Sequence, residues 1–316
     1  MPGAAPPTRR HALCGLAAMA LAPLTGCATG PAAERVDAFA PLPLVLSLDD
    51  GPMLAPLTLL TPAQRHDAMR AALAHEGVEA VMFMTAGFGA DRPEGLALAR
   101  AWAAAGHRLG NHTVSHLDLH DPAVTLERYL AEIDACEALG RTLPQWRRWF
   151  RATYLNAGRD EAQRQALRDA LAARGYRLAE VDLDSRDWQF AGPLQAQLLS
   201  TPDAQAPAVL ALRARFLAQL DERTAALAAA ARAERRESAL VRGPAGGATS
   251  GATRATTLPR PRVLLVHDQL PMALWLPEVL ALMRRHGFGF VAPERAWPAT
   301  PTSVSVRTSL VYTAQN

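Results

Sequence analysis

The chain has 316 residues, which allows one large domain or two small ones and is long enough to bury a core without disulfide staples. A composition of 49% hydrophobic and 20% charged residues excludes a disordered, collagenous or disulfide-scaffold protein. With 33 basic and 30 acidic residues the formal net charge is only +3, and no dense basic patch with interleaved aromatics is present, so no nucleic-acid partner is expected.

Residues 1–27 read as an export leader. Arg9 and Arg10 form a positive start, and Ala12 to Leu24 form an apolar stretch too short for the roughly 20 residues of a spanning helix. The stretch ends in Leu24-Thr25-Gly26-Cys27, a pattern that resembles a bacterial lipobox, in which the cysteine is lipidated and heads the mature chain. Loss of the two arginines leaves a charge of +1. The expectation is a lipoprotein anchored to a membrane through Cys27, not one that spans it. Residues 28–41, rich in Ala and Pro, would be the tether. Ala28 carries no retention signal of the Asp kind, so the periplasmic face of the outer membrane is the expected location, with secretion as the alternative. Cys14 lies in the leader and Cys27 would be lipidated, so Cys136 alone remains and no disulfide within the mature chain is expected.

Short apolar runs then alternate with amphipathic ones. Strands are predicted at Leu44–Asp49, Ala80–Met84, Arg108–Asn111, Trp149–Arg151, Arg177–Leu183, Val263–His267 and Phe288–Val291. Helices are predicted at Pro62–His75, Pro93–Ala105, Ala123–Leu139, Arg159–Arg174 and Leu274–Arg285. This rhythm argues for an α/β fold, a distorted (β/α) barrel of about seven parallel strands, with its chemistry at the C-terminal strand ends. The domain is expected over 42–300. It would carry an insertion at about 203–260, made of a helix-prone Val209–Leu240 and a Gly-, Ala-, Ser- and Thr-rich loop, Gly243–Pro259. Residues 301–316 read as a tail, with one edge strand at Thr308–Tyr312.

Five strand ends carry polar groups. Ser47-Leu48-Asp49-Asp50-Gly51-Pro52 ends a strand in two carboxylates and a turn; alone it is also a good surface turn. Gly110-Asn111-His112-Thr113-Val114-Ser115-His116 holds two imidazoles four apart, which share a face if the segment starts a helical turn and which suit a divalent metal. A carboxylate from another strand end would complete a His2Asp set, and Asp50 is the obvious donor. Phe150-Arg151-Ala152-Thr153-Tyr154 supplies an arginine, and Asp184-Ser185-Arg186-Asp187-Trp188 supplies acids beside a tryptophan. Val263-Leu264-Leu265-Val266-His267-Asp268 ends in a histidine. One such histidine would pass as structural; five polar strand ends in one parallel domain argue for a site.

In order, these segments resemble the five motifs of the polysaccharide deacetylases of the NodB-homology type, carbohydrate esterase family 4, over roughly residues 42–296. The resemblance implies that Asp50, His112 and His116 bind one divalent metal ion, Zn2+ first, with Co2+, Ni2+ or Mn2+ as alternatives. It implies that Asp49 is the general base, oriented by Arg151, that the backbone N–H of Tyr154 helps hold the oxyanion, and that His267 is the general acid. Asp187 would tune either His267 or the Arg151 network, and Trp188 and Leu265 would line the pocket for the acetyl methyl. The implied activity is metal-dependent N-deacetylation of a cell-envelope glycan, peptidoglycan or poly-N-acetylglucosamine. An O-acetyl polysaccharide (xylan) esterase and a non-catalytic glycan-binding envelope lipoprotein are the alternatives. The chain departs from the family pattern twice. Thr153 stands where proline is usual, and the stretch from Trp188 to Val263 is long.

Overall fold

The computed structural model describes residues 40–55, 59–241 and 260–298. The leader, Cys27, nearly all of the tether, the Gly243–Pro259 loop and the tail with Thr308–Tyr312 lie outside the described residues. The chain divides between Ala40 and Pro41, and every element lies in the second unit. In chain order these are β1 (Leu42–Gly51), α1 (Pro62–His75), β2 (Ala80–Met84), α2 (Pro93–Ala104), β3 (Arg108–Asn111), α3 (Leu126–Gly140), β4 (Trp146–Phe150), α4 (Glu161–Ala173), β5 (Arg177–Leu178), β6 (Leu183–Asp184), α5 (Trp188–Ser200), α6 (Pro207–Val241), β7 (Arg262–His267), α7 (Leu270–Arg285) and β8 (Phe288–Phe290).

All strand pairs are parallel. The strand order is β5-β4-β3-β2-β1-β7-β6, with β8 beside the start of β1. The two ends of this path, β5 and β6, are separated in the chain only by residues 179–182. That link spans at most about 17 Å when fully extended, so the sheet must curl until its edges approach. Arg177–Leu183, expected as one strand, is therefore two. The Ala179 N–H still donates to the Phe150 carbonyl (2.7 Å), whereas the Asp182 N–H donates to the Val263 carbonyl (3.0 Å), so the segment leaves β4 and crosses to β7. The result is the distorted (β/α) barrel expected, with helices around a curled parallel sheet.

Side-chain alternation sorts the strands into two faces. Leu42, Leu44, Leu46 and Leu48 of β1 join Met82, Met84, Leu264 and Val266 under the helices. Val45 joins Val81, Phe83, Trp149, Ala179, Val263 and Trp297 inside the curl. Ser47 and Asp49 continue that inner row, and both are buried. Three helices begin at side-chain caps: Thr61 with Gln64 as a capping box, Thr125 bonded to the Arg128 N–H, and Asp160 bonded to the Gln163 N–H. Helix α5 was not predicted, and it contains Pro193. Helix α6 packs Phe216, Leu220 and Ala228 into the main core, and the Phe216 ring lies between Phe190 and Trp275. Among the described residues no helix is long and apolar enough to cross a membrane.

Behind the strand ends lies a fully buried ionic cluster. Asp268, just past β7, accepts from Arg65 Nε (2.8 Å) and from the Met53 N–H (2.7 Å), and lies 2.9 Å from His66 Nε2. Trp102 Nε1–H donates to His66 Nδ1 (2.7 Å), which leaves Nε2 to carry the proton facing Asp268. Burial alone would raise the Asp268 pKa; His66 and Arg65 outweigh it and hold the carboxyl below its usual 3.8. The carboxylate's contribution to stability is therefore complete above about pH 4 and is lost as the pH falls through the depressed folded value. Asp268→Asn strands the Arg65 charge and is expected to lower the unfolding free energy by about 3–5 kcal/mol, read by urea unfolding at pH 7.

Candidate metal centre and active site

The end of β1 delivers both carboxylates to one place. Asp49 follows the inward row, and Asp50 then takes a left-handed backbone, φ 70°, which breaks the alternation. Asp tolerates this region better than most residues do.

The histidine pair does not sit on a helical turn, as the spacing suggested. Residues 112–116 form a loop with positive φ at Thr113 (71°) and His116 (58°). The loop is held by side chains. Asn111 Oδ1 accepts from the Thr113 N–H (3.0 Å), and Thr113 Oγ1 accepts from the His116 N–H (3.2 Å). Glu132 of α3 accepts from the Val114 N–H (3.1 Å), the Ser115 N–H (2.6 Å) and Ser115 Oγ (2.8 Å). The two rings end with centroids 5.0 Å apart.

Asp50 Oδ1 lies 3.3 Å from His116 Nε2 and 3.8 Å from His112 Nε2. It is buried and accepts no hydrogen bond. Two ligands bonded to a tetrahedral ion at 2.0–2.1 Å stand roughly 3.3–3.5 Å apart, so these separations fit a shared cation. His112 Nδ1 donates to the Arg151 carbonyl (2.8 Å), which turns the Nε2 lone pair toward Asp50. Burial, helped by nearby positive charge, lowers His112 to about 3, and burial lowers His116 to about 4, so both are neutral ligands at pH 7. Burial, opposed by His267 but reinforced by Asp49, Asp268 and Asp187, lifts Asp50 to about 7. A carboxylate in that state lacks compensating positive charge, which a divalent ion supplies.

Asp49 stands beside this triad, its Oδ2 3.7 Å from His112 Nε2. Arg151 Nη1 reaches both of its oxygens, at 3.2 and 3.3 Å. The same guanidinium donates to the Ala179 carbonyl (2.5 Å) and to Ser47 Oγ (3.2 Å), and lies 4.5 Å above the Phe83 ring. Burial raises the Asp49 pKa above 3.8, while Arg151, His267 and His116 pull it back.

His267 pairs in register with Asp49 across β1 and β7. Its Nδ1 lies 2.8 Å from Asp187 Oδ1, and its backbone N–H donates to Asp187 Oδ2 (3.0 Å). Ser185 Oγ also donates to Asp187 Oδ1 (2.7 Å). Of the two partners expected for Asp187, then, it is His267 that it binds. Burial would lower the His267 pKa, but Asp187, with Asp50 and Asp49 behind it, pushes it up to about 10. Asp184, Asp187 and His267 also lie close enough to share an ion. Their oxygens are already engaged, by Ser185, His267, the Arg186 N–H and Trp188 Nε1. The orphaned oxygen is at Asp50, so the donor set there fits a metal better.

Tyr154 has φ 54°, and its N–H donates to no acceptor among the described residues. Its ring, 59% exposed, lies 4.5 Å from that of His116. Trp188, 47% exposed, begins α5, whereas Leu265 is buried in β7 in register with Ser47. The structure therefore gathers Asp49, Asp50, His112, His116, Arg151, Tyr154, Asp187 and His267 about one centre. Sequence reasoning gave no role to Ser47, Asn111, Tyr129 or Glu132. The first two lie in quoted motifs. Tyr129 and Glu132 sit in the ordinary periodicity of α3, and no local signal marks them.

A curled parallel α/β barrel with a His2Asp donor set, a buried carboxylate beside it and a carboxylate-bound histidine opposite is the arrangement of a metal-assisted hydrolase. Residues 40–178 match the polysaccharide deacetylase family. Among solved structures it is similar to the chitin deacetylase of the fungal pathogen Colletotrichum lindemuthianum, at 17% identity and a TM-score of 0.52, over 84% of this chain and 91% of that one. It is similar also to a polysaccharide deacetylase of Bacillus cereus, at 17% identity and a TM-score of 0.51, over 79% of this chain and 91% of that one. These likenesses speak to the fold. No curated protein matches the sequence.

The orphaned Asp50 oxygen leads to a metal-binding prediction. Asp50→Ala and His116→Ala are each expected to lose stoichiometric Zn2+ or Co2+ on equilibrium dialysis with metal analysis, whereas Asp49→Asn keeps it. Retention by Asp50→Ala together with loss by Asp49→Asn would mean that the two aspartates have exchanged roles.

Proposed function

We propose that the protein is a metal-dependent N-deacetylase that releases acetate from N-acetylated sugars of a cell-envelope glycan, peptidoglycan or poly-N-acetylglucosamine. One observation carries the reading. A buried carboxylate fixed by Arg151 and a histidine held protonated by Asp187 pair in register beside one His2Asp donor set.

Asp50, His112 and His116 would hold the ion, with Zn2+ the first choice for this donor set and Co2+, Ni2+ or Mn2+ as alternatives. When bound, the ion supplies Lewis acidity to the acetyl carbonyl and acidifies the attacking water. Asp49 takes the proton from that water as its oxygen bonds to the carbonyl carbon. Arg151 keeps Asp49 in place and favours its ionised form against the effect of burial. The Tyr154 N–H donates to the carbonyl oxygen as charge builds there. His267 then gives its Nε2 proton to the nitrogen as the C–N bond breaks, so that the amine leaves neutral and acetate remains. An amide needs this acid more than an ester does, because amide nitrogen is the poorer leaving group. A histidine pushed up to about 10 therefore favours the N-acetyl substrate over an O-acetyl one. Trp188 and Leu265 would close around the methyl, with Trp188 exposed at the entrance. The leader and Cys27 support an anchored envelope location, which brings the enzyme to its polymer.

The test is acetate release by the fragment from residue 28 with Zn2+ or Co2+, offered peptidoglycan, chitooligosaccharides and acetylated xylan in parallel. Metal-dependent release from an N-acetylated glycan is expected, with kcat lower by about 100- to 10,000-fold in Asp49→Asn. Release from xylan alone would make the protein an ester hydrolase. No release with metal bound would favour a glycan-binding envelope protein. A second outcome concerns pH. Activity falls on the basic side as His267 loses its proton. Asp187→Asn removes the charge that holds that proton, so the basic limb of kcat/KM moves to lower pH by at least about one unit while the acidic limb stays.

A further inference from the structure

We infer that Tyr129 is a positioning residue that, through Thr153, sets the oxyanion-donating Tyr154 N–H against the metal-ligand loop. The inference rests on the reading of Tyr154 given above.

Tyr129 lies on the inner face of α3 and is fully buried among Leu119, Ile133, Phe150 and Leu167. Its hydroxyl has one neighbour residue to bond, Thr153, and bonds it twice. The Thr153 N–H donates to the Tyr129 oxygen (3.1 Å), and the Tyr129 oxygen lies 2.8 Å from Thr153 Oγ1. Thr153 Oγ1 spends its own proton on the Leu117 carbonyl. The Tyr129 O–H must then donate to Oγ1, and every donor in the chain is used: Thr153 N–H to Tyr129, Tyr129 O–H to Thr153 Oγ1, Thr153 O–H to Leu117. Burial keeps the phenol in its O–H form, with its pKa pushed up to about 12.

The two ends of this relay are adjacent to the chemistry. Leu117 follows His116, and Thr153 precedes Tyr154. Two residues before Thr153, the Arg151 carbonyl accepts from His112 Nδ1. The segment 151–154 is thus tied to the metal loop twice, at His112 through the Arg151 carbonyl and at Leu117, next to His116, directly through the Thr153 hydroxyl, which Tyr129 orients. Tyr154 and Leu155 both take positive φ, 54° and 57°, a conformation that holds only when its surroundings over-determine it. Proline, usual at position 153 in the family this chain resembles, would fix φ by its ring and would have no N–H to satisfy. Threonine leaves φ unfixed and brings a buried N–H that needs a partner. Here the buried hydroxyl of Tyr129 holds the backbone instead, and it is the partner that the N–H requires.

Tyr129→Phe deletes one oxygen and leaves the ring in its cluster. With chitooligosaccharide as substrate and Zn2+ bound, kcat is expected to fall by about 10- to 100-fold, with KM, metal stoichiometry and the basic pH limb unchanged. Thr153→Val keeps the N–H bond to Tyr129 but cuts the link to Leu117, so a smaller fall in the same direction is expected. The decisive variant is Tyr129→Phe with Thr153→Pro. Ala152, at φ −69° and ψ 132°, already has the extended backbone that a following proline demands. This double variant removes the stranded N–H and restores a fixed φ, so it should regain most of kcat. If Tyr129→Phe keeps the parent kcat, loses metal in step with activity, or is not rescued by proline, Tyr129 only packs and the inference is overturned. In those cases the parent still releases acetate and the proposed function stands. A parent with metal bound and no turnover overturns both.

Discussion

A guanidinium buried inside the curl is the interaction on which the site depends. Arg151 leaves the end of β4 and reaches Asp49 and Ser47 on β1 and the Ala179 carbonyl at the seam between β5 and β6. Its own carbonyl holds His112. One residue thus holds Asp49, ties it to the seam between β5 and β6 and selects the tautomer of His112. Burying such a pair costs several kcal/mol per ion before attraction is counted, and the cost is visible in both partners: Asp49 is raised and Arg151 lowered from their ordinary values. The space for the guanidinium comes from uncharged residues of β2 and β3. It lies over Phe83, and Phe83 can lie there because Gly110 faces it from β3; a Cβ at Gly110 would stand 2.7 Å from that ring.

Backbone strain gathers at the same strand ends. Of the non-glycine residues with positive φ among the described residues, Asp50, Thr113, His116, Tyr154, Leu155 and Arg186 all fall in the segments that carry the site. Such conformations cost of order 1–3 kcal/mol each and persist where neighbours over-determine them. The neighbours are identifiable. Asn111 and Glu132 hold the histidine loop, Asp268 accepts the Met53 N–H beyond Asp50, and Tyr129 holds the turn before Tyr154. Asp268 also donates its own N–H to the Asp49 carbonyl, so the strand end is gripped on both sides of its two carboxylates. The core thus supplies, through helices α1 and α3, the restraint that the active loops cannot supply for themselves.

How far this was legible in the sequence follows from the range of each interaction. Strands β2 and β3 were read to the residue because their apolar runs are short and bounded by turns. The candidate site residues were legible because they stand at strand ends and in motifs, whereas the caps Thr125 and Asp160 went unread and the starts of α3 and α4 were placed too early. Arg177–Leu183 read as a single strand because nothing local records that its first half bonds β4 and its second half β7. Helix α5 was missed because Pro193 argues against a helix when tertiary packing is unknown, yet Phe190, Leu194 and Leu198 bury its face. The histidine pair suggested a helical turn from its spacing of four; Asn111 and Glu132 impose a loop instead, and Glu132 is a distant partner. Tyr129, Glu132 and Asp268 act across long stretches of chain, and a periodicity that explains each of them as an ordinary helix or strand-end residue hides what they do.

The site also shows how few residue types are needed when surroundings differ. Asp49 and Asp50 are consecutive, but only Asp49 has a fixed cation, Arg151; Asp50 is left with an unbonded oxygen. His112 gives its Nδ1 proton to a carbonyl, which carries no full charge, so burial prevails and the ring stays neutral. His267 gives its Nδ1 proton to a carboxylate, so attraction prevails and the ring stays charged. The same two side-chain types are thereby sorted into lone-pair donors on one side of the centre and a proton-carrying pair on the other. That sorting rests on partners one layer out, Arg151 for the carboxylates and Asp187 against a backbone carbonyl for the imidazoles. The chemistry proposed for the centre would therefore be lost by exchanging those partners even with every ligand and titrating group left in place.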